Sequence, residues 1–201
     1  MPVTQRWVHG GLVLVAGILS VSLTVLILGA SRPKVNTTGL SGSPAPMFSL
    51  RDTGGDWVKL KALKGKTVVL IAAESQLTGL GKQTREVQQL FDTFGHDPEI
   101  KFLGLQFDPR VGLLSAKNEA GVLETTLPGL QIAKDVDGSV ALAYRVGVTP
   151  VLFVIDPGGV IRARLPLDND GATIVASEAI TSLRQAPLTI PMTAGDRAKA
   201  Y

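Results

Sequence analysis

The chain has 201 residues, a formal net charge of +3 and no cysteine. The lack of cysteine excludes disulfides, thiolate nucleophiles, thiolate metal sites and dithiol redox chemistry. Arg6, Arg32 and Lys34 are the only charged residues before Pro44 and account for the whole positive surplus, so the remainder is neutral overall and a nucleic-acid-binding surface is not expected.

An uncharged apolar segment at residues 7–30 predicts one N-terminal transmembrane helix, after a short flank at residues 1–6. It is long enough to cross a bilayer core of about 30 Å. We expect Trp7 to anchor one end at the membrane interface and Arg32 and Lys34 the other. A cleaved signal peptide, whose apolar region is shorter, and a buried core helix are the alternatives. The flanking charges are nearly balanced and do not decide the orientation. Residues 31–43 form a polar linker.

The first half of the globular part predicts a hairpin, a buried strand and a helix. Residues 47–60 alternate apolar and polar side chains around a Gly-rich turn, which favours a hairpin. Residues 67–73 are apolar throughout, as in a strand buried on both faces. Residues 84–94 place apolar side chains at helical spacing. Between them lies a polar, Gly-containing loop.

The second half predicts further strands and helices. We expect strands at residues 100–107, 129–133, 151–155 and 160–164, with the last two forming a hairpin. Helices are expected at residues 113–123, 139–144 and 172–183, with Asp137 or Ser139 capping the second of them. Residues 184–201 carry two prolines and no apolar periodicity, which predicts an extended tail.

This order of elements predicts an α/β domain over residues 44–183. A parallel strand pair joined by a crossover helix, followed by an antiparallel hairpin and a last helix, implies a mixed sheet with helices on both faces.

Two segments of the domain resemble a known family. Residues 42–50 and 63–70 (Gly-Ser-Pro-Ala-Pro-Met-Phe-Ser-Leu and Leu-Lys-Gly-Lys-Thr-Val-Val-Leu) resemble the opening of the AhpC/TSA and TlpA/ResA-like proteins of the thioredoxin superfamily. Residues 137–159, which include Val-Gly-Val-Thr-Pro150, resemble its second half. The resemblance implies a thioredoxin-like fold over residues 42–183 and a cis peptide bond at Thr149–Pro150 beside the active-site loop. A trans proline at the start of a strand is the alternative.

The chain departs from this family at the redox motif. The family's Cys-x-x-Cys falls on residues 77–80, where the sequence is Leu-Thr-Gly-Leu. Leucine has no ionisable group for a helix dipole to stabilise. The resemblance therefore implies the fold without the dithiol or peroxidase activity.

No other catalytic or metal site is expected. Ser75 and Thr78 lie in the loop without a histidine near in sequence, so we interpret them as turn and capping residues. Asp135 and Asp137 lack the other ligands of a calcium loop and are interpreted as turn residues. The sequence predicts no cofactor, no metal and no enzyme activity.

The resulting hypothesis is a membrane-anchored, redox-inactive thioredoxin-like protein of a bacterial, periplasmic type, which acts as a structural or binding subunit of a larger membrane complex. The candidate partner-binding residues share the expected loop and groove, and are Leu77, Thr78, Leu80, Thr149, Pro150 and Trp57. An exposed patch of these residues is typical of protein contacts, whereas the alternative is that the two leucines only pack inward. The alternative functions are a redox partner that uses another protein's cysteines and a peptide-holding chaperone.

Overall fold

Strand β3 (Thr67–Glu74) is buried along nearly its whole length, as its apolar sequence requires cover on both faces of the sheet. The computed structural model describes residues 40–75, 84–108, 123, 127–147 and 149–185. The other elements, in chain order, are β1 (Ser49–Asp52), β2 (Trp57–Lys59), a 3-10 helix (Leu60–Leu63), α1 (Thr84–Phe94), β4 (Ile100–Phe107), β5 (Ile132–Asp135), α2 (Ser139–Ala143), β6 (Val151–Ile155), β7 (Ile161–Pro166) and α3 (Ala172–Gln185).

The strands form one seven-stranded sheet in the order β2-β1-β5-β4-β3-β6-β7. The β3–β4 and β4–β5 pairs are parallel, whereas β1 with β2, β1 with β5, β3 with β6 and β6 with β7 are antiparallel. The expected mixed sheet is therefore confirmed, and so are the two hairpins.

The sheet has a core on each face, since successive side chains of a strand point to opposite sides. On one face Val69, Ile71 and Ala73 pack with residues of α1 and α3. On the other face Val68, Leu70 and Ala72 pack with Tyr144, which directly follows α2. This arrangement confirms the thioredoxin-like α/β fold with helices on both faces.

The structure corrects one local expectation and refines another. The strand expected at residues 129–133 is displaced to Ile132–Asp135, because Gly129 has a positive φ of 86° and belongs to the preceding turn. Gly138, and not Asp137 or Ser139, occupies the N-cap position of α2, but the side chain of Asp137 accepts the N–H of Ser139 at 3.0 Å and so caps the first residue of the helix, as expected. The side chain of Asp135 adds a second cap, because it accepts the N–H of Ala141 at 2.7 Å.

Several expectations fall outside the described residues. They are the transmembrane helix at residues 7–30 with its anchors Trp7, Arg32 and Lys34, the linker before Leu40, most of the helix expected at 113–123, and the tail beyond Gln185. Within the described part of the chain, no helix is both long enough and apolar enough to cross a membrane.

Candidate functional site

The candidate site lies at the edge of the sheet where β3 ends. β3 stops at Glu74 and α1 begins at Thr84, and the loop between them carries Leu77, Thr78 and Leu80, which lie outside the described residues. Ser75 is the last described residue before that gap. Its backbone N–H donates to the carbonyl oxygen of Phe107 at 2.8 Å, which fixes the start of the loop against the end of β4.

The segment before β6 meets β3 at this same edge. Val151 pairs with Ala72, so Thr149 and Pro150 precede β6 beside the last residues of β3. Both residues are partly exposed. The carbonyl oxygen of Pro150 accepts the N–H of Leu167 at 2.8 Å. The structure therefore places the predicted Thr149–Pro150 pair beside the start of the loop that carries the two leucines.

The expected cis isomer at Pro150 was wrong. The described residues, which include both Thr149 and Pro150, contain no cis peptide bond. Trans is the favoured isomer of an X-Pro bond, and proline is tolerated at the first position of a strand because it lacks only the N–H.

Trp57 does not join these residues. It lies on β2, the outermost strand, and β1, β5, β4 and β3 separate it from β6. At about 4.8 Å per strand that places it roughly 24 Å away along the sheet. The hairpin pairs through β1 with β5 rather than near β6, which is why a single patch containing both Trp57 and Pro150 does not form.

Sequence reasoning missed two buried polar groups near the end of the parallel strands. The hydroxyl of Ser75 and the side-chain oxygen of Gln106 are buried and have no hydrogen-bond partner among the residues that the structure describes. Gln106 pairs with Ala73, which packs on the face covered by α1 and α3. Buried polar atoms normally find partners, so these two atoms are unusual among the described residues. A glutamine within the apolar run of β4 was the sequence signal.

The turn that leads into α2 contains a second buried acceptor. Asp135 is only 1% exposed; one of its oxygens accepts the N–H of Ala141, and the other has no hydrogen-bond partner in the described part of the chain. Burial raises the pKa of Asp135, and the N–H groups of Ala141 and Val140 oppose that shift. Hydrogen bonds from Ser139 lower the pKa of neighbouring Asp137. The turn interpretation of both aspartates is retained, and Asp135 is in addition a cap for α2.

The end of α2 presents an arginine in an unusual conformation. Arg145 has a φ of 52° and is the only residue other than glycine with a positive φ in the described part of the chain. Its N–H donates to Leu142 and that of Val146 donates to Ala141, which is the Schellman arrangement at a helix end. Arg164 donates to the carbonyl oxygen of Arg145 at 2.8 Å and holds this turn against β7.

These groups can form hydrogen bonds, but the described residues contain no arrangement of side chains that is typical of a catalytic site. Among the residues that the structure describes, no three His, Cys, Asp or Glu side chains are grouped so that they could hold a metal ion. Ser75 has no base within hydrogen-bond distance there, and His96 follows α1 at the far end of that helix.

Comparison with known proteins agrees with this fold. A model of the AhpC/TSA family matches residues 41–164. No curated relative matches the sequence. The thioredoxin domain of a thiol-disulfide oxidoreductase from Bacteroides vulgatus is 20% identical, with a TM-score of 0.57, over 71% of this chain and 99% of that chain. The peroxidoxin BcpB from Mycobacterium tuberculosis is 18% identical, with a TM-score of 0.54, over 75% of this chain and 99% of that one. A thiol-disulfide oxidoreductase from Bacteroides fragilis is 18% identical, with a TM-score of 0.56, over 69% and 99% respectively. At these identities the likeness to solved structures carries the fold alone.

Proposed function

The chain belongs to the AhpC/TSA family of thioredoxin-like proteins, and on that premise we propose that it is a membrane-anchored member without redox activity, which acts as a binding or structural subunit of a membrane protein complex. The observation that carries the proposal is the absence of cysteine from all 201 residues. Thiol-disulfide exchange and thiol peroxidase chemistry both need a cysteine thiolate as nucleophile. The fold can therefore be inherited without the chemistry.

The scaffold around the missing thiols supports a binding role. β3 and α1 are both present, and Thr149 and Pro150 lie beside the edge at which the loop starts. Two buried oxygens without a partner among the described residues, those of the Ser75 and Gln106 side chains, lie there as well. Leu77 and Leu80 replace the two thiols with apolar side chains, which favour contact with a partner protein.

The apolar segment at residues 7–30 supports the membrane part of the proposal. We propose that it anchors the protein with a single pass, with Trp7, Arg32 and Lys34 at the interfaces. By resemblance to membrane-anchored relatives, and not from the flanking charges, we place the globular domain on the periplasmic or extracytoplasmic side, where its partners are protein subunits of the complex. The lipid bilayer itself is the other partner.

The enzymatic half of the proposal is tested with the full chain in mild detergent, in an insulin-reduction assay and a peroxide-consumption assay. We expect no turnover above the blank. A double variant, Leu77→Cys with Leu80→Cys, is the matched positive control, because it restores thiols at the family's two positions. Turnover by the wild-type chain would contradict the proposal, whereas activity of the double variant alone shows that the assay detects this fold.

The binding half is tested by Leu77→Arg, which places a charge in the loop. We expect loss of partner binding with an unchanged circular dichroism spectrum and unchanged urea unfolding, since a buried contact does not tolerate an unpaired charge. Lys64→Glu, an exposed turn position far from the loop in sequence, is the control. Unchanged binding by a folded Leu77→Arg variant would show that the loop leucines are not part of the interface.

A further inference from the structure

The outer strand β2 has one edge that no strand of the described residues covers. It is the last strand of the sheet order, and β1 is its only neighbour among the described strands. The N–H of Asp52 donates to the carbonyl oxygen of Asp56, and that of Leu60 donates to Phe48. In an antiparallel pair, every second residue forms backbone hydrogen bonds with the neighbouring strand. These two bonds therefore show that the backbone groups of Asp56, Val58 and Leu60 face β1. The backbone groups of Trp57 and Lys59 consequently point away from the sheet, where a further strand would pair.

The side chains of these two residues form an aromatic and cationic surface. Trp57 is 55% exposed, the guanidinium carbon of Arg51 lies 4.3 Å from its ring centroid, and the Lys59 ammonium lies 6.0 Å from it. Arg51 pairs directly with Trp57 across β1–β2 and with Lys134 across β1–β5. Directly paired residues share a face of the sheet. We name Trp57, Arg51, Lys59 and Lys134 the β2 surface.

The β2 surface carries unbalanced positive charge. Within the described part of the chain, none of Arg51, Lys59 and Lys134 takes part in an ion pair. The nearby carboxylate of Asp52 is already committed, because it accepts the N–H groups of Gly54 and Asp56 and the side-chain amide of Gln131. Asp52 also follows Arg51 directly in the strand, so it points to the opposite face. Arg51 also donates to the carbonyl oxygen of Gly55 at 2.6 Å, which leaves its charge unneutralised, so carboxylates of another molecule would complement this surface.

We propose that the β2 surface binds an acidic, extended segment of a partner protein, which adds to the sheet beside Trp57 and Lys59. The open backbone groups supply strand pairing, the three cations select carboxylates, and the exposed indole supplies an apolar contact. This inference extends the proposed function by naming the chemistry of a partner. It concerns a surface distinct from the loop and Pro150.

An anionic membrane surface is less well matched than a peptide. Lipid head groups can neutralise lysine and arginine, but they offer no alternating N–H and C=O groups to the backbone of Trp57 and Lys59. A strand satisfies both sets of groups together, because its hydrogen-bonding groups repeat with the period of β2.

The test uses the fluorescence of Trp57 in the full chain in detergent, in a Trp7→Phe background, since the protein has only two tryptophans. The probe is a synthetic peptide of about ten residues in which Glu and Val alternate, as suits one strand. We expect it to shift the emission of Trp57 and protect it from acrylamide. The same peptide with Lys in place of Glu should do neither. Quenching protection by the Lys peptide would overturn the charge assignment.

Two variants and one modified probe locate the site. Charge reversal by Arg51→Glu with Lys59→Glu should weaken binding about tenfold or more, which corresponds to about 1.4 kcal/mol. Lys61→Glu with Lys64→Glu makes the same charge change at exposed positions outside the surface and should leave binding unchanged. A probe N-methylated at alternate residues, which cannot pair as a strand on its methylated edge, should also bind at least about fivefold more weakly.

Equal binding of the methylated and unmodified probes would overturn strand addition. Stronger protection of Trp57 by mixed micelles of the detergent with phosphatidylglycerol than by the peptide would also overturn the proposal in favour of a membrane surface. If a native complex is recovered and survives reversal of Arg51 and Lys59, this inference fails while the proposed function stands. If no native complex exists but the peptide still binds, the proposed function fails while this inference stands.

Discussion

The phenol of Tyr144 donates a hydrogen bond of 2.9 Å to the carbonyl oxygen of Pro46, which lies 98 residues earlier in the chain. Pro46 leads into the first hairpin, and Tyr144 follows α2 shortly before Thr149 and Pro150. The Tyr144 ring also packs edge-on against Phe48 at 6.3 Å and Phe153 at 5.1 Å between centroids. This contact joins the two separate sequence segments that resemble the family, and it positions the turn before Pro150.

Removal of this hydroxyl should destabilise the domain. Tyr144→Phe keeps both ring contacts and leaves the Pro46 carbonyl without its partner, so we expect a loss of about 1 kcal/mol in the free energy of unfolding. Burial also raises the pKa of Tyr144 well above its ordinary value of 10.0. A raised folded pKa contributes stability that is present below the unfolded pKa and is lost as the pH rises above it. The variant should therefore lose less stability than the wild type above about pH 10.

Urea unfolding followed by circular dichroism, at neutral pH and again at alkaline pH, measures both effects. Tyr144→Leu is the comparison, because it also removes the two aromatic contacts and should cost more than Tyr144→Phe. Equal stability of the Tyr144→Phe variant and the wild type would show that the hydrogen bond to Pro46 does not hold the hairpin.

Asp135 gives the domain a stability that falls as the pH rises. Burial raises its folded pKa above the ordinary value of 3.8. A carboxyl with a raised folded pKa stabilises the fold while it is protonated, and this contribution is lost as the pH rises through the folded pKa. Asp135→Asn cannot ionise and its amide oxygen can still accept the N–H of Ala141. We therefore expect the variant to gain stability relative to the wild type as the pH increases from about 4 to 7.

Denaturant midpoints measured across that range check the sign. Asp52→Asn is a control with the opposite expectation, because hydrogen bonds, that from Gln131 first, lower the pKa of Asp52. The stability that Asp52 contributes is present above its unfolded pKa and lost as the pH falls, so its replacement should be most costly at neutral pH. A relative stability of Asp135→Asn that decreases with pH would refute the assignment.

Arg145 occupies a position that glycine fits better. Its left-handed backbone costs a residue with a Cβ about 1 kcal/mol or more. Arg145→Gly should consequently raise the free energy of unfolding by about 0.5 kcal/mol, after allowance for the larger backbone freedom of glycine in the unfolded chain. Arg145→Ala keeps the strain and should give no gain. The hydrogen bond from Arg164 reaches the backbone carbonyl and persists in both variants. Urea unfolding measures the free energies of unfolding of both variants. A less stable Arg145→Gly variant would mean that the arginine side chain itself stabilises the turn.

Long apolar runs made most of the sheet and its covering helices predictable from sequence. β6 is apolar throughout, β3 is apolar between its end residues Thr67 and Glu74, and β4 is apolar apart from Lys101 and Gln106. α1 follows a helical spacing of Val87, Leu90 and Phe94. Such patterns are local, since each segment carries its own periodicity. The hairpin that contains Trp57 was also predicted, but its place at the outer edge of the sheet was not.

The position of Trp57, the capping role of Asp135 and the unpartnered oxygen of Gln106 all depend on long-range packing. No local sequence pattern predicts that β1 pairs with β5, and this pairing separates Trp57 from Pro150. Asp135 lies six residues before Ala141, and the two meet only because Gly138 adopts a left-handed conformation between them. The cis isomer at Pro150 was expected from the family resemblance alone, and the local sequence did not distinguish it from the trans isomer.

The most direct measurement of the central claim is the composition of the material purified from native membranes. The full chain would be expressed from its own promoter and extracted in mild detergent. The mass and subunit stoichiometry of the purified material would be determined by light scattering and mass spectrometry. The account predicts a defined complex with a fixed ratio of this chain to at least one other membrane subunit, which is lost in the folded Leu77→Arg variant. Recovery of a monomer without partner, or of a wild-type chain that turns over insulin or peroxide by itself, would contradict it.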